Sequence, residues 1–109
     1  MNMAVVESPK LTDTDAAGPD DTAEAKRRAD DHIAGLRARI DEIDRTLIEL
    51  WRERAAISHE VGVTRVAAGG TRLVLAREQE ILARFRAELG ADGTQLAMLI
   101  LRAGRGPLV

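Results

Sequence analysis

Two charged residues of this sequence occupy positions that the surrounding pattern assigns to apolar side chains. Arg54 falls on a stripe of apolar residues that recurs every three or four positions, and Glu78 falls on the apolar face of a later, similar stripe. Burying an unpaired guanidinium costs several kcal/mol, so Arg54 needs a carboxylate from the protein or from a ligand. The alternative is an arginine whose stem lies along the stripe while its head reaches solvent.

Two further arginines extend this candidate site. Arg65 lies eleven residues after Arg54, which is about three helical turns and roughly 16 Å along a helix axis. Two arginine side chains on one face, reaching toward each other, can therefore hold one small anion. Taken alone, Arg65 is typical of a solvated arginine near a helix C-terminus. Arg77, taken alone, is typical of a charged surface residue. For Glu78, the alternative to a role in binding a ligand is an internal salt bridge to Arg54 or Arg77.

Arg37 flanks the same stripe near the other end of the helix, about 25 Å from Arg54 along the axis. Two side chains so far apart cannot share a small ligand within one chain. If a second long helix runs antiparallel, Arg37 of the partner subunit comes beside Arg54. The position of Arg37 therefore favours a homodimer.

The candidate site combines arginines, one carboxyl group and apolar neighbours, with no nucleophile. The sequence contains no Gly-rich phosphate loop and no serine paired with a histidine. His32 and His59 lie off the stripe with no third ligand nearby, so we expect neither a metal nor a cofactor. Such a site suits a small, multiply anionic molecule, and its chemistry would rest on electrostatic stabilisation and conformational restraint.

Composition excludes several classes of protein. The 109 residues suggest one domain, and a formal net charge of −2 with 31% charged residues shows no basic excess of the kind nucleic-acid binders carry. Trp51 and Phe85 are the only aromatic residues, too few for a base-stacking platform. Cysteine is absent, and we find neither a signal pattern nor an apolar run long enough to span a bilayer. We therefore expect a cytoplasmic protein without membrane contact.

One long helix must position Arg54 and Arg65. Apolar residues repeat in heptad-like steps over residues 33–61, and the stretch to residue 67 would be on the order of 50 Å long. We expect Asp30 or Asp31 to cap its start and the pair Gly69-Gly70 to end it. Gly62, inside this helix, either lets another part of the chain come close or is simply tolerated at the surface.

Two short helices should follow. The second is predicted over about Leu75 to Leu89, and Asp92 is expected to cap a third, apolar on every side, that stops near Gly104. Two short helices cannot cover the long one, so two copies packing together is the simplest solution. The predicted fold is all-α, with three helices in each subunit of an intertwined homodimer. We expect residues 1–30 to be a disordered tail, residues 31–106 the domain, and residues 107–109 a short C-terminal tail. Within the first tail, residues 22–29 are a candidate for a frayed helical lead-in.

Three stretches of this sequence resemble the all-helical chorismate mutases. Residues 69–74 followed by Arg77-Glu78 resemble the second signature of that family. Residues 101–106 resemble the ending of its short intracellular subclass, whose members are weak catalysts alone and are activated by 3-deoxy-D-arabino-heptulosonate 7-phosphate (DAHP) synthase. The resemblance to the family's first helix is carried by Leu36, Arg37, Ile40, Asp41, Ile43, Asp44, Leu47, Ile48, Leu50, Arg52, Glu53, Arg54, Ile57, Val61 and Gly62.

The resemblance implies a function and roles for the arginines. The reaction would be the Claisen rearrangement of chorismate to prephenate, on the route to phenylalanine and tyrosine, in an intertwined dimer. Arg37 of the partner subunit and Arg54 would hold the substrate carboxylates. Arg65 would donate to the ether oxygen, where negative charge develops as the C–O bond breaks. Arg77 would line the pocket, and Glu78 would bind the ring hydroxyl.

Two departures from the family pattern lead us to expect weak activity without a partner. Val74 stands where some relatives have an acid, so only its backbone would contribute. The third helix is almost wholly apolar, and we assign no donor from it to the ether oxygen. Our hypothesis is that the segment Gly104, Arg105 and Gly106 docks on DAHP synthase and helps to order Arg65 and the loop before the second helix.

Two other classes of function are compatible with part of this pattern. A non-enzymatic dimeric coiled-coil adaptor explains the heptads but leaves Arg54 and Glu78 on apolar faces unexplained. A nucleic-acid binder using the arginines would bind in a strongly salt-dependent way, and the acidic balance of the chain disfavours it.

Overall fold

The structure, a computed structural model, describes residues 19–106, which form three helices and no strand. Helix α1 is Pro19–Ala67, α2 is Leu75–Leu89 and α3 is Ala91–Arg105. The predicted all-α class is confirmed for this range, as are the bounds of α2 and the end of α1. The expected tails at residues 1–18 and 107–109 lie outside the described residues.

Helix α1 begins at Pro19, earlier than predicted. The two aspartates of its first turn lie at the positive end of the helix dipole. Lys26 pairs with Asp30 one turn further on, at 3.0 Å, which adds local support. The predicted cap at Asp30 or Asp31 is therefore wrong, since both residues lie inside the helix. Residues 19–30 are helical, a longer helical segment than the lead-in considered over residues 22–29.

The chain divides into two compact units, one ending at Ile40 and the other beginning at Asp41. The described part of the first unit is the N-terminal portion of α1, and its side chains from Asp20 onward are exposed. The second unit contains the rest of α1 together with α2 and α3, and it holds the core and the candidate site.

The core of the second unit is small. Its buried apolar side chains are Ile81, Ala97 and Leu101, with Phe85 packed partly against them. Gly93 of α3 lies so close to α2 that an added Cβ would overlap the carbonyl oxygen of Phe85. Small residues at the contact therefore let the two short helices approach each other closely.

Helix α3 differs from the prediction at its start. It begins at Ala91 without a side-chain cap, because Gly90, with a φ of 71°, occupies the cap position and Asp92 already lies in the first turn. In the single chain, Ala97 and Leu101 of this helix are buried, whereas Met98 is 59% exposed and Leu99 46% exposed.

The apolar stripe of α1 faces solvent in the single chain. Its members have exposed fractions between 42% and 59%, and none is buried. Within residues 19–106, no helix combines the length and the apolar character that crossing a bilayer requires. The stripe residues are Ile33, Leu36, Ile40, Ile43, Leu47, Leu50, Ile57 and Val61.

Candidate functional site

A pocket of about 500 Å³ lies in the second unit, among α1, the loop after it, α2 and α3. It contains seven of the nine residues that the sequence analysis singled out. Arg37 belongs to the first unit and Gly106 follows α3, and neither is among its lining residues. The seven are Arg54, Arg65, Val74, Arg77, Glu78, Gly104 and Arg105.

Helix α1 brings Arg54 and Arg65 to the pocket together, as their eleven-residue spacing predicts. Just after α1, Gly69 turns the chain with a φ of 88°, a value that favours glycine. The backbone N–H of Gly70 then donates to the carbonyl oxygen of Arg65 at 2.8 Å. This bond ties the start of the loop to the helical turn that carries Arg65.

The loop from residue 68 to residue 74 connects α1 to α2, and the carboxylate residue of the site, Glu78, lies in the first turn of α2. The Thr71 hydroxyl donates to the carbonyl oxygen of Leu73 at 2.8 Å, which stabilises the bend. The carbonyl oxygen of Val74, a half-buried lining residue, accepts a bond of 3.1 Å from the backbone N–H of Glu78. That bond begins α2 and holds Glu78 over the pocket.

Arg72 lines the pocket, although the sequence analysis gave it no role. Its Cγ lies 3.1 Å from the position that a Cβ at residue 62 would take, and Gly62 is buried. Gly62 is therefore not a tolerated surface residue, because its missing side chain makes room for the stem of Arg72. The interior glycine was a visible signal, but its spacing did not reveal which residue would cover it.

Burial and neighbouring positive charge make the site unfavourable for the guanidinium of Arg54. The pKa of Arg54 is lowered, first by burial and then by repulsion from Arg77 and Arg84. An arginine nevertheless stays protonated at neutral pH. No carboxylate of residues 19–106 pairs with Arg54, so an anion entering the pocket would relieve both costs.

Glu78 is paired with Arg105, which is neither of the partners proposed from the sequence. Nη1 of Arg105 donates to both carboxylate oxygens at 2.7 Å, and the two side chains are only 19% and 23% exposed. Arg77 pairs instead with Glu80 at 3.2 Å on the surface. The predicted pairings of Glu78 with Arg54 or Arg77 are therefore wrong, because the last turn of α3 supplies the cation.

Gly104 lets this last turn of α3 approach α1. A Cβ at residue 104 would overlap the hydroxyl of Ser58 and lie 2.6 Å from the Ser58 Cβ. Gly104 is itself buried. The contact holds the turn that carries Arg105 at the edge of the pocket.

We expect Gly104→Ala to lower the free energy of unfolding by about 1–3 kcal/mol, because overpacking a close contact displaces the helices. Adding Ser58→Gly removes the overlapping atoms and should recover most of this loss, apart from about 1 kcal/mol for glycine inside a helix. Urea unfolding of both variants, with Ser58→Gly alone as the control, measures the effect. An equal loss from Gly104→Ala in the wild-type and Ser58→Gly backgrounds would contradict this contact.

The arrangement as a whole is a pocket with several guanidinium groups, apolar walls and one paired carboxylate. Ile57, Ile81 and Leu101 contribute apolar surface to its lining. In the part of the chain that the structure describes, no group of His, Cys, Asp or Glu side chains is arranged to hold a metal ion. Such a pocket can bind a small polyanion and stabilise developing negative charge, as oriented cationic donors do.

Comparison with known proteins identifies the family to which this chain is similar. Residues 36–100 match the family described as Chorismate mutase type II. The chain is 47% identical over 76 residues to the intracellular chorismate mutase of Mycolicibacterium smegmatis, covering 70% of this chain and 73% of that protein. It is 48% identical over 76 residues to the one from Mycobacterium tuberculosis (strain ATCC 25618 / H37Rv), covering 70% and 71%.

A solved structure shares the fold. It is a chain from the non-covalent complex of DAHP synthase and chorismate mutase of Corynebacterium glutamicum with a bound transition state analog. The TM-score is 0.72 at 42% sequence identity, and the match covers 74% of this chain and 98% of that one. From the family match, these relatives and the shared fold, we conclude that this chain is an isomerase belonging to the chorismate mutase type II family.

Proposed function

We propose that the protein converts chorismate to prephenate by a Claisen rearrangement in the pocket lined by Arg54, Arg65 and Glu78. The observation that carries this proposal is that seven residues chosen from the sequence line one cavity of about 500 Å³. Chorismate carries two carboxylates, one ring hydroxyl and one ether oxygen. A pocket rich in guanidinium groups, with a single carboxylate, matches that set of groups.

The reaction needs no nucleophile, because one C–O bond breaks and one C–C bond forms within the same molecule. Arg54 binds a substrate carboxylate, which also relieves the repulsion from Arg77 at this position. Arg65 donates to the ether oxygen as negative charge grows there, so its bond is stronger in the transition state than in the ground state. Glu78 accepts from the ring hydroxyl, and the walls hold the substrate in a folded conformation.

A second copy of the chain completes the site. The exposed apolar stripe of α1 is longer and more continuous than the scattered apolar residues usual on a monomer surface, which supports burial against another α1 in an intertwined homodimer. In that dimer, Arg37 of the partner subunit binds the other substrate carboxylate. The domain then extends over residues 31–106, as in the sequence-based division.

Activity is weak until DAHP synthase binds. The complex of the Corynebacterium glutamicum proteins supports such a partner for this chain. Val74 offers only its backbone to the pocket, and we assign no helix α3 donor to the ether oxygen, so the free site is incomplete. The curated relatives named as intracellular support a cytoplasmic location.

The loss of chorismate absorbance tests this function directly. Purified protein should consume chorismate slowly by itself and about 100- to 1,000-fold faster when DAHP synthase is added, since completing one transition-state contact has an effect of that order. Prephenate should be the product in both cases. The absence of turnover with and without the synthase would contradict the proposal.

Truncation after Ala103 should abolish activation by the synthase, because it removes Gly104, Arg105 and Gly106, the proposed docking segment. The quantity to compare is the ratio of rates with and without synthase, which separates activation from any loss of basal activity. Truncation after Gly106 is the matched control and should retain the activation, because it leaves the docking segment in place. An unchanged ratio after Ala103 would rule out this docking segment.

A further inference from the structure

Arg105 forms hydrogen bonds with Glu78 of the candidate active site, a contact that docking on a partner protein does not require. Nη1 of Arg105 lies 2.7 Å from each oxygen of the Glu78 carboxylate, and both side chains line the same pocket. Both are also more than three-quarters buried in the single chain, at 23% and 19% exposed. We infer that Arg105 is a positioning residue, which holds Glu78 in place to receive the ring hydroxyl of the substrate.

The geometry of the pair leaves Glu78 able to accept a further bond. A single nitrogen of Arg105 donates to both oxygens, whereas a forked pair would use two nitrogens. Each carboxylate oxygen has two lone pairs, so each retains acceptor capacity. Arg105 therefore restricts the rotamer of the carboxylate without using up the acceptor that the substrate needs.

The guanidinium of Arg105 does not use all of its hydrogen-bond donors. Nε of Arg105 is buried and has no hydrogen-bond partner among residues 19–106. Leaving a buried donor unpaired costs free energy, so the hydrogen bonds from Arg105 to Glu78 must offset that cost. A small movement of the last turn of α3 would change both the Nε environment and the bonds to Glu78.

That turn is held by a few nearby contacts. Gly104 packs on Ser58 of α1, and the N–H of Gly106 donates to the carbonyl oxygen of Arg102 at 2.9 Å where the helix ends. Arg105 lies between these two contacts. A protein that binds the end of α3 can therefore change the position of Glu78 through the Arg105–Glu78 ion pair, without contacting the substrate. This inference rests on the proposed function, which gives Glu78 its role.

A double-mutant cycle tests the inference. We expect Arg105→Gln to lower kcat/KM for chorismate by about 10- to 100-fold, the usual effect of losing a hydrogen bond to a charged group. Arg105→Lys should recover part of it, because a cation remains. In a Glu78→Gln background, adding Arg105→Gln should change kcat/KM by less than about 2-fold, because coupled residues are not additive.

The matched control is Arg102→Gln, an exposed arginine one turn earlier in α3 that does not line this pocket. It should leave kcat/KM unchanged. Equal losses from Arg105→Gln in both backgrounds would overturn the inference, because Arg105 would then act through general stability. A gain of activity in Arg105→Gln would also overturn it, since the pair would then obstruct Glu78. Wild-type protein that is inert with and without synthase would overturn the proposed function as well.

Discussion

Replacing Arg54 by leucine should reduce kcat/KM for chorismate by about 30- to 5,000-fold while the protein stays folded. Losing one partner of a desolvated charge pair costs about 2–5 kcal/mol, which corresponds to this range. In the ligand-free chain the guanidinium contributes little to stability, because burial and the charges of Arg77 and Arg84 oppose it. Partial exposure screens that repulsion, so the free energy of unfolding should change by only about 0–1 kcal/mol, in the stabilising direction.

The measurement is a chorismate assay beside urea unfolding of the same preparation. Arg45→Leu is the matched control, because Arg45 is an exposed arginine of α1 away from the pocket, and we expect it to retain turnover. An Arg54→Leu protein that keeps full turnover would contradict the site. An Arg54→Leu protein that unfolds would make Arg54 a structural residue, whereas a coiled-coil adaptor would have no turnover to lose.

An equal mixture of the inactive variants Arg37→Ala and Arg54→Ala should regain about a quarter of the wild-type turnover once subunits exchange. In the proposed dimer each site takes Arg37 from one subunit and Arg54 from the other. A mixed dimer therefore contains one intact site and one site that lacks both arginines. Random pairing makes half of the dimers mixed, which leaves about a quarter of all sites intact in a two-fold assembly.

A second mixture is the control for this experiment. Arg54 and Arg65 line the pocket of the same chain, so a mixture of Arg54→Ala with Arg65→Ala contains no intact site. It should stay inactive after the same exchange procedure. Recovery in both mixtures, or in neither, would contradict a site shared between two subunits.

Local spacing predicted a large part of the second unit. The eleven residues between Arg54 and Arg65 place both on one face of α1, because helical geometry depends only on the number of residues between them. The bounds of α2 and the end of α1 near Gly69 also follow from signals within a few residues. The start of α1 was missed, because a polar segment with suitable dipole and ion-pair contacts can be helical without an apolar stripe.

Signals within a few residues did not predict the contacts between helices. The sequence identified Glu78 as a charge needing a partner but named the wrong arginines, since Arg105 is 27 residues away. Arg72 and Gly62 were visible separately, yet only the path of the loop brings one over the other.

The amino-acid sequence by itself determined which side chains share a helical face, where two of the three helices end, and that charged groups would meet apolar ones. These properties follow from backbone geometry over a few residues. The tertiary structure alone decided that Arg105 holds Glu78, that Gly104 packs on Ser58, and that Arg72 joins the pocket. Such contacts depend on how whole helices pack, and no periodicity within a single helix encodes the partner on another.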